Sequence, residues 1–418
     1  MSTEVLKYPR PIRVLSKANL LASWLNSRDS TKKSGAPGLD KVTARSYASK
    51  LDFNINNLAW RIREGHFHFS KLRPNPIPKP GQAKDRVICI PTVEDRLVQR
   101  TMAAYFHKSK LFPIYNEVSF GFIPEVGTKK ALSEVLNLRR EFDHVFETDI
   151  SAFFDTIDRD MLISKVRRVL GKHSLVPLLE QVIKKEIKET RECSKKKLEN
   201  LGIMAGKGLR QGMPLSPMLA NLALAEFDAA VLRRGIRMVR YADDIVVFAT
   251  TKRSALEAGR FVQERLEALG HSIPQIGNDS KTRVATKFEP FQFLGREIIF
   301  SEREGDFVQR VPKSKISKMK SAILDLSDLQ RLLEDNTTFP DVSNKITQKA
   351  ASFIASYSDA HNAMHVENEM KIARVEALKK IYSQVFGQSA MDAVNSKHLQ
   401  FLGLKVPSME TGDFEYTY

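Results

Sequence analysis

The chain has 418 residues, of which 42% are hydrophobic and 28% charged; that balance supports a sizeable buried core and fits two or three domains better than one small one. Lysine and arginine outnumber aspartate and glutamate by 66 to 49, a net charge of +17 that draws polyanions, nucleic acid above all, to the surface. Two isolated cysteines, Cys89 and Cys193, argue against a zinc site or a disulfide framework and fit a reducing cytoplasm, and the chain shows neither a signal-peptide apolar region nor an apolar run near the roughly 20 residues of a membrane span.

Residues 1 to about 34 mix basic and apolar side chains, with a helix expected around Leu20, Leu21, Trp24 and Leu25. A Gly/Pro turn cluster, SGAPGLDK (34–41), follows. Leu51, Ile55, Leu58 and Ile62 recur at helical spacing, which predicts a helix over 43–64. Residues 72–92 read as two strands around a PGQAKD turn. Val87, Cys89 and Pro91 alternate there with Ile88 and Ile90, so the second strand is expected to be buried on both faces. A helix is expected at Val93–Phe106.

A strand at Val145–Asp149 leads to a helix after Asp155. The basic stretch KKEIKETRECSKKK (184–197) reads as a solvated face. A helix at Pro217–Leu232 precedes the hairpin pattern MVRYADDIVVFA (238–249), and a further helix spans about 253–269. Beyond a boundary near 310 the pattern becomes helical. Ile316, Met319, Ile323 and Leu326 share one face; Ile346, Ala350, Phe353 and Tyr357 share a second; Ile372, Val375, Leu378 and Tyr382 share a third.

Chemistry concentrates in Tyr241-Ala242-Asp243-Asp244, between two apolar strand halves. Aspartate is an ordinary turn residue, but adjacent carboxylates repel and are costly to bury, and flanks as apolar as IVVF do not suit a casual surface loop. Such a tip needs a compensating cation. Magnesium, a hard ion that prefers oxygen ligands and bridges phosphates, suits it. Asp149 ends another strand-like run and supplies a third carboxylate. Two-metal catalysis requires carboxylates from separate strands around ions about 3.5–4 Å apart. One ion then activates a primer 3′-hydroxyl and the other neutralises the triphosphate and departing pyrophosphate. Asp149 and Asp243 are expected to bridge both ions, with Asp244 the weaker ligand or a structural partner.

FETDISAFFDTID (146–158), GLRQGMPLSPMLANLALAEFD (208–228) and YADD (241–244) resemble, in order, the palm motifs of reverse transcriptases. The resemblance extends upstream through SGAPGLD (34–40), IPKPGQAKDRVICIPTVEDRLVQR (77–100) and SFGFIPEVGTKKAL (119–132), and downstream through SKTRVA (280–285) and FQFLGREI (291–298). It covers about residues 34–300 and implies an α+β right-hand polymerase. Its fingers would lie mainly at 34–145, its palm, an antiparallel sheet backed by helices, mainly at 146–310, and its α-helical thumb at 311–390. An N-terminal extension, 1–33, and a tail, 391–418, would flank these.

At matching positions the resemblance implies metal ligation by Asp149, Ile150, Asp243 and Asp244. Two Mg2+ ions are implied, with Mn2+ able to substitute. Phe154 matches the aromatic steric gate that favours deoxynucleotides, with Phe153 beside it as a core residue. Gln211 and Gly212 match the turn that contacts the incoming nucleotide. Lys79 and Arg86 match triphosphate-clamping positions, Lys281 a lysine proposed to protonate pyrophosphate, and Phe293-Leu294-Gly295 the primer grip. The implied partners are an RNA template, dNTPs and the DNA product in an RNA–DNA hybrid.

The SFGF element is similar to group II intron enzymes. No HNH-type Cys/His cluster is present, and no Asn-Ala-x-x-His or Val-Thr-Gly element of retron enzymes is found where expected. What remains is a resemblance to free-standing bacterial reverse transcriptases of antiphage defence, which work with a neighbouring non-coding RNA. Two other readings are an intron-derived reverse transcriptase without maturase and endonuclease parts, and a non-catalytic RNA-binding scaffold. An RNA-dependent RNA polymerase is a third, opposed by Phe154. In the tail, Tyr416 or Tyr418 is a candidate protein primer, against the simpler reading of an ordinary terminus.

Overall fold

The computed structural model describes residues 11–30, 35–78, 85–191, 193–277, 280–402 and 404. Lys79, residues 80–84 of the expected PGQAKD turn, and the tail tyrosines Tyr416 and Tyr418 lie outside the described residues. The chain divides into two compact units, residues up to Lys287 and residues from Phe288 onward. Helices dominate both, and every pairing between strands is antiparallel, an α+β arrangement.

In the first unit, β1 (Arg73–Ile77) and β2 (Arg86–Ile90) form a two-stranded hairpin. Four strands, β3 (His144–Asp149), β4 (Arg237–Tyr241), β5 (Asp244–Ala249) and β6 (Arg283–Ala285), form the central sheet in the order β4-β5-β3-β6. Val145, Phe146, Ile245, Val246 and Val247 are almost fully buried. Near-continuous apolar strands of this kind are covered on both faces. The helix Lys252–Glu267 packs against β3 and β5. The helix Ser216–Arg233 is buried around most of its circumference.

The sequence places most of these elements correctly, with three differences. The helix expected over 43–64 is two helices, Ala44–Ala48 and Leu51–Arg63. The Asn54 side chain donates to the Tyr47 carbonyl at 2.9 Å, which satisfies a helix-end acceptor and lets the chain turn. In β2 only Val87 and Cys89 are buried; Ile88 and Ile90 are half-buried. The turn at Gly212 packs closely against β2 and covers part of Ile88. A side chain there would come within 2.9 Å of Ile88 Cγ2 and 2.5 Å of the Cys89 carbonyl, and φ at Gly212 is +101°. Finally, the 184–197 stretch is not uniformly solvated. Lys185 donates to the Phe69 carbonyl, and Glu186 turns inward to bind Arg159 and Arg210.

The helix Val93–Ser109 begins with Thr92 capping the Asp95 amide at 3.1 Å. Asp95 is buried and accepts from the Ser70 amide at 3.0 Å, fastening the segment before β1 to this helix. Burial pushes its carboxyl up to about 7, against the opposing pulls of the Ser70 amide, Lys185 and Thr92. A carboxyl raised this way holds its proton more firmly when folded. Its contribution to stability is complete below the unfolded value of 3.8 and is lost as pH rises through about 7. Replacing Asp95 by Asn should flatten the fall in denaturation midpoint across that window. An unchanged slope in the variant would assign the pH dependence to other groups.

The second unit opens with a three-stranded meander of β7 (Phe291–Phe293), β8 (Arg296–Ser301) and β9 (Asp306–Arg310). The three expected helices follow as Lys313–Leu324, Phe339–Ser356 and Ala363–Phe386, together with shorter ones. Ile316, Met319, Ile323, Val342, Ile346, Met370, Leu378 and Ile381 form their common core. No helix among the described residues is long and apolar enough to cross a membrane.

Candidate active site

The carboxylates meet at one end of the central sheet because of strand register. Asp149, the last residue of β3, is the cross-strand partner of Asp244, the first residue of β5. Such partners have Cα atoms about 4.5–5.5 Å apart. Asp244 is also paired with Tyr241 across a two-residue hairpin turn. Ala242, first in that turn, has φ +57°, a position where glycine is usual. The Ile150 amide donates to the Asp243 carbonyl at 3.0 Å, so the end of β3 is tied directly to the turn.

Burial raises the Asp243 carboxyl above the usual range and the neighbouring Asp149 charge adds to the rise, while Arg86 and Lys281 oppose it. Lys281 forms an ion pair with Asp149. Burial alone would lower this ammonium, but Asp149, with Asp244 and Asp243 behind it, holds it above its ordinary value. Among the described residues no three His, Cys, Asp or Glu groups converge as a ready-made cation site. Like-charge repulsion opposes such convergence, and the Lys281 ammonium relieves it at Asp149. Three carboxylates at adjoining strand positions, one with its charge disfavoured by burial, supply the kind of hard oxygen donor that divalent cations prefer, although their side chains do not converge on one point.

The other expected residues divide by location. Arg86 is exposed at the start of β2, and its charge is felt at Asp243 and Asp155. Phe153 is buried with its ring 5.3 Å from His271, whereas Phe154 is half-buried beside it. The Phe154 carbonyl accepts from the Leu209 amide at 2.7 Å, and the Gln211 carbonyl accepts from the Cys89 amide at 2.7 Å. These bonds bring the Phe154 segment, the Gln211 turn and β2 together. Glu186 braces the turn from behind: it pairs with Arg159, binds Arg210 at 2.9 Å and accepts from the Gly206 amide at 2.9 Å. Phe293, Leu294 and Gly295 belong to the second unit. Leu294 and Gly295 form the turn between β7 and β8, both with positive φ, as a type I′ hairpin requires.

Sequence reasoning missed the support beneath the hairpin. Arg240 is fully buried and pairs with the equally buried Asp228 through Nε–Oδ1 at 2.8 Å and Nη2–Oδ2 at 2.5 Å. It also donates to Asn221 Oδ1 and the Ala242 carbonyl, each at 3.1 Å, and to Ser119 Oγ at 2.7 Å. Asn221 in turn donates to the Gly121 carbonyl at 2.7 Å. One guanidinium thus joins the helix Ser216–Arg233, the 119–121 segment and the carboxylate turn. The available signal was Arg240 between Val239 and Tyr241, the second of two arginines in the strand and the one that follows its apolar pair Met238-Val239.

Residues 77–298 match the family described as reverse transcriptase (RNA-dependent DNA polymerase). Protein YkfC of Escherichia coli (strain K12) is 26% identical over 366 residues, covering 77% of this chain and 92% of YkfC. The group II intron-encoded protein LtrA of Lactococcus lactis subsp. cremoris is 24% identical over 285 residues, covering 68% of this chain and 43% of LtrA. A chain of a solved Cas6-RT-Cas1–Cas2 complex overlaps 62% of this chain and 41% of its own length, at 22% identity and a TM-score of 0.35.

Proposed function

Because the chain belongs to the reverse transcriptase family and is therefore an RNA-directed DNA polymerase, we propose that Asp149, Asp243 and Asp244 form its nucleotidyl-transfer centre and hold two Mg2+ ions. The observation that carries this reading is the cross-strand pairing of Asp149 with Asp244, beside the turn that carries the half-buried Asp243. Bound there, divalent ions would supply Lewis acidity to the primer hydroxyl and charge neutralisation to the triphosphate. Asp149 and Asp243 would bridge both ions, with Asp244 and the Ile150 carbonyl as lesser ligands.

The remaining roles follow from position. Arg86, with Lys79, would grip the triphosphate; a guanidinium offers paired donors to phosphate and an ammonium a point charge. Lys281, held protonated by the three carboxylates, would give its proton to the departing pyrophosphate once released from Asp149. Gln211 and Gly212 would lie under the incoming nucleotide, and the 293–295 turn would support the primer. Half-buried Phe154 would exclude a ribose 2′-hydroxyl. Its replacement by Ala should lower the preference for dNTPs over NTPs roughly 10–200-fold, measured as the ratio of kcat/KM values in primer extension. An unaltered ratio would remove Phe154 from that role.

We further propose that the template is a partner non-coding RNA and the setting antiphage defence in the cytoplasm. Support comes from the motif set, which resembles that of free-standing bacterial reverse transcriptases. Primer extension with dNTPs and with NTPs tests the polymerase reading. Sequencing the nucleic acid that co-purifies with the protein tests the template. A random sample of cellular RNA would count against a dedicated one.

A further inference from the structure

A strained aromatic residue stands beside the carboxylate hairpin without a role so far. Phe122 has φ +59°, the left-handed region that a bulky side chain rarely adopts. It is 41% exposed, so burial of its ring is not what holds it there. Its ring centroid lies 6.0 Å from that of Tyr241, the residue that opens the hairpin. Strain of this sort survives only where the surroundings over-determine the backbone. Here they do. The Arg240 amide donates to the Val118 carbonyl at 2.7 Å and the Phe120 amide to the Arg240 carbonyl at 2.9 Å. Asn116 accepts from the amides of Val118 and Ser119, and Asn221 holds the Gly121 carbonyl. Gly121 presses so close that a Cβ would stand 2.6 Å from the Ala242 nitrogen. Every bond fixes the backbone, and the result is an outward-facing ring next to Tyr241.

We propose that Phe122 and Tyr241 form an aromatic ledge against which the last nucleotide of the growing DNA strand rests, holding its 3′ end beside the carboxylates. This rests on the polymerase reading above and adds a contact to the primer strand. Aromatic faces accept any nucleobase, because stacking needs no sequence-specific donor or acceptor. That tolerance suits a polymerase, whose primer end changes identity with each addition.

The test uses the full chain and a DNA primer annealed to an RNA template, with 2-aminopurine as the primer's terminal base. Phe122→Gly removes the ring and relieves the left-handed backbone, so its melting temperature should equal or exceed that of the unaltered protein. Its Kd and KM for the hybrid should nonetheless rise about fivefold or more, the lower range for losing one base–aromatic contact. Turnover at saturating hybrid should fall as well, because a 3′ end without its ledge is less often aligned with the carboxylates. Quenching of the 2-aminopurine should weaken in Phe122→Gly and return in Phe122→Tyr. Equal hybrid affinity and equal quenching in the unaltered and Gly proteins would overturn the proposal. So would lower melting temperatures in both Phe122→Gly and Phe122→Asn, since each accepts positive φ and the ring would then be serving the fold. Binding is read without dNTPs. An unaltered protein that binds hybrid but never extends it would therefore count against the polymerase reading and leave the ledge separately measurable.

Discussion

Replacing Asp243 and Asp244 together by Asn should abolish DNA synthesis while leaving RNA binding largely intact. On the proposed assignment, removing two oxygen anions from the nucleotidyl-transfer centre would forfeit several kcal/mol of transition-state stabilisation, roughly a thousandfold or more in kcat. The single change Asp243→Asn should already lose most of this. It carries a second, opposite signature. Burial raises the Asp243 carboxyl, so its charged form costs stability at any pH above that raised value. An amide has no such cost, and the Asn protein should melt no lower than the unaltered one at pH 8 without divalent ions. Loss of synthesis with retained or increased stability separates a catalytic carboxylate from a structural one. A variant that keeps a tenth of normal synthesis, or that loses synthesis only by unfolding, would contradict the assignment.

The second large effect is expected at Arg240 and Asp228. Both are fully buried, and removing one partner strands the other charge away from water. Arg240→Met or Asp228→Ala should each cost about 3–5 kcal/mol in denaturant unfolding. A double replacement by apolar residues, Arg240→Met with Asp228→Leu, removes both charges and should recover much of that loss, because a buried ion pair against hydrophobic isosteres is often neutral. Synthesis should not recover with it. The guanidinium also holds the Ala242 carbonyl and, through Asn221, the loop at Gly121. A double variant that is stable and extends primers at the normal rate would show that the network serves the fold alone.

How legible these features were depended on whether their physics is local. The hairpin 238–249 was readable because an apolar run interrupted by two carboxylates has few other solutions, and Asp149 was readable because it closes an apolar strand. That Asp149 and Asp244 are direct partners was not readable, since register across a long separation depends on the whole sheet. The left-handed backbone at Phe122 left no mark in composition; phenylalanine there looks like any core aromatic. The helix expected over 43–64 failed at Ser49 and Lys50 because a side chain reaching from Asn54 closed the first helix, a bond that periodicity does not register. The meander of β7 to β9 was only partly foreseen, through the FLG turn. Its strands carry three to six residues each, too few for alternation to stand out.

The order β4-β5-β3-β6 places the earliest of the four strands between two that come later. On the ribosome, β3 emerges with no sheet partner until about 95 more residues have been added, a wait on the order of 5–20 s at ordinary elongation rates. During that interval Val145 and Phe146 must be sheltered by nearby helices or by a chaperone. Asp149 meanwhile has no neighbouring carboxylate with which to share a cation. On the proposed mechanism, nascent chains that end before Asp243 and Asp244 would be catalytically silent.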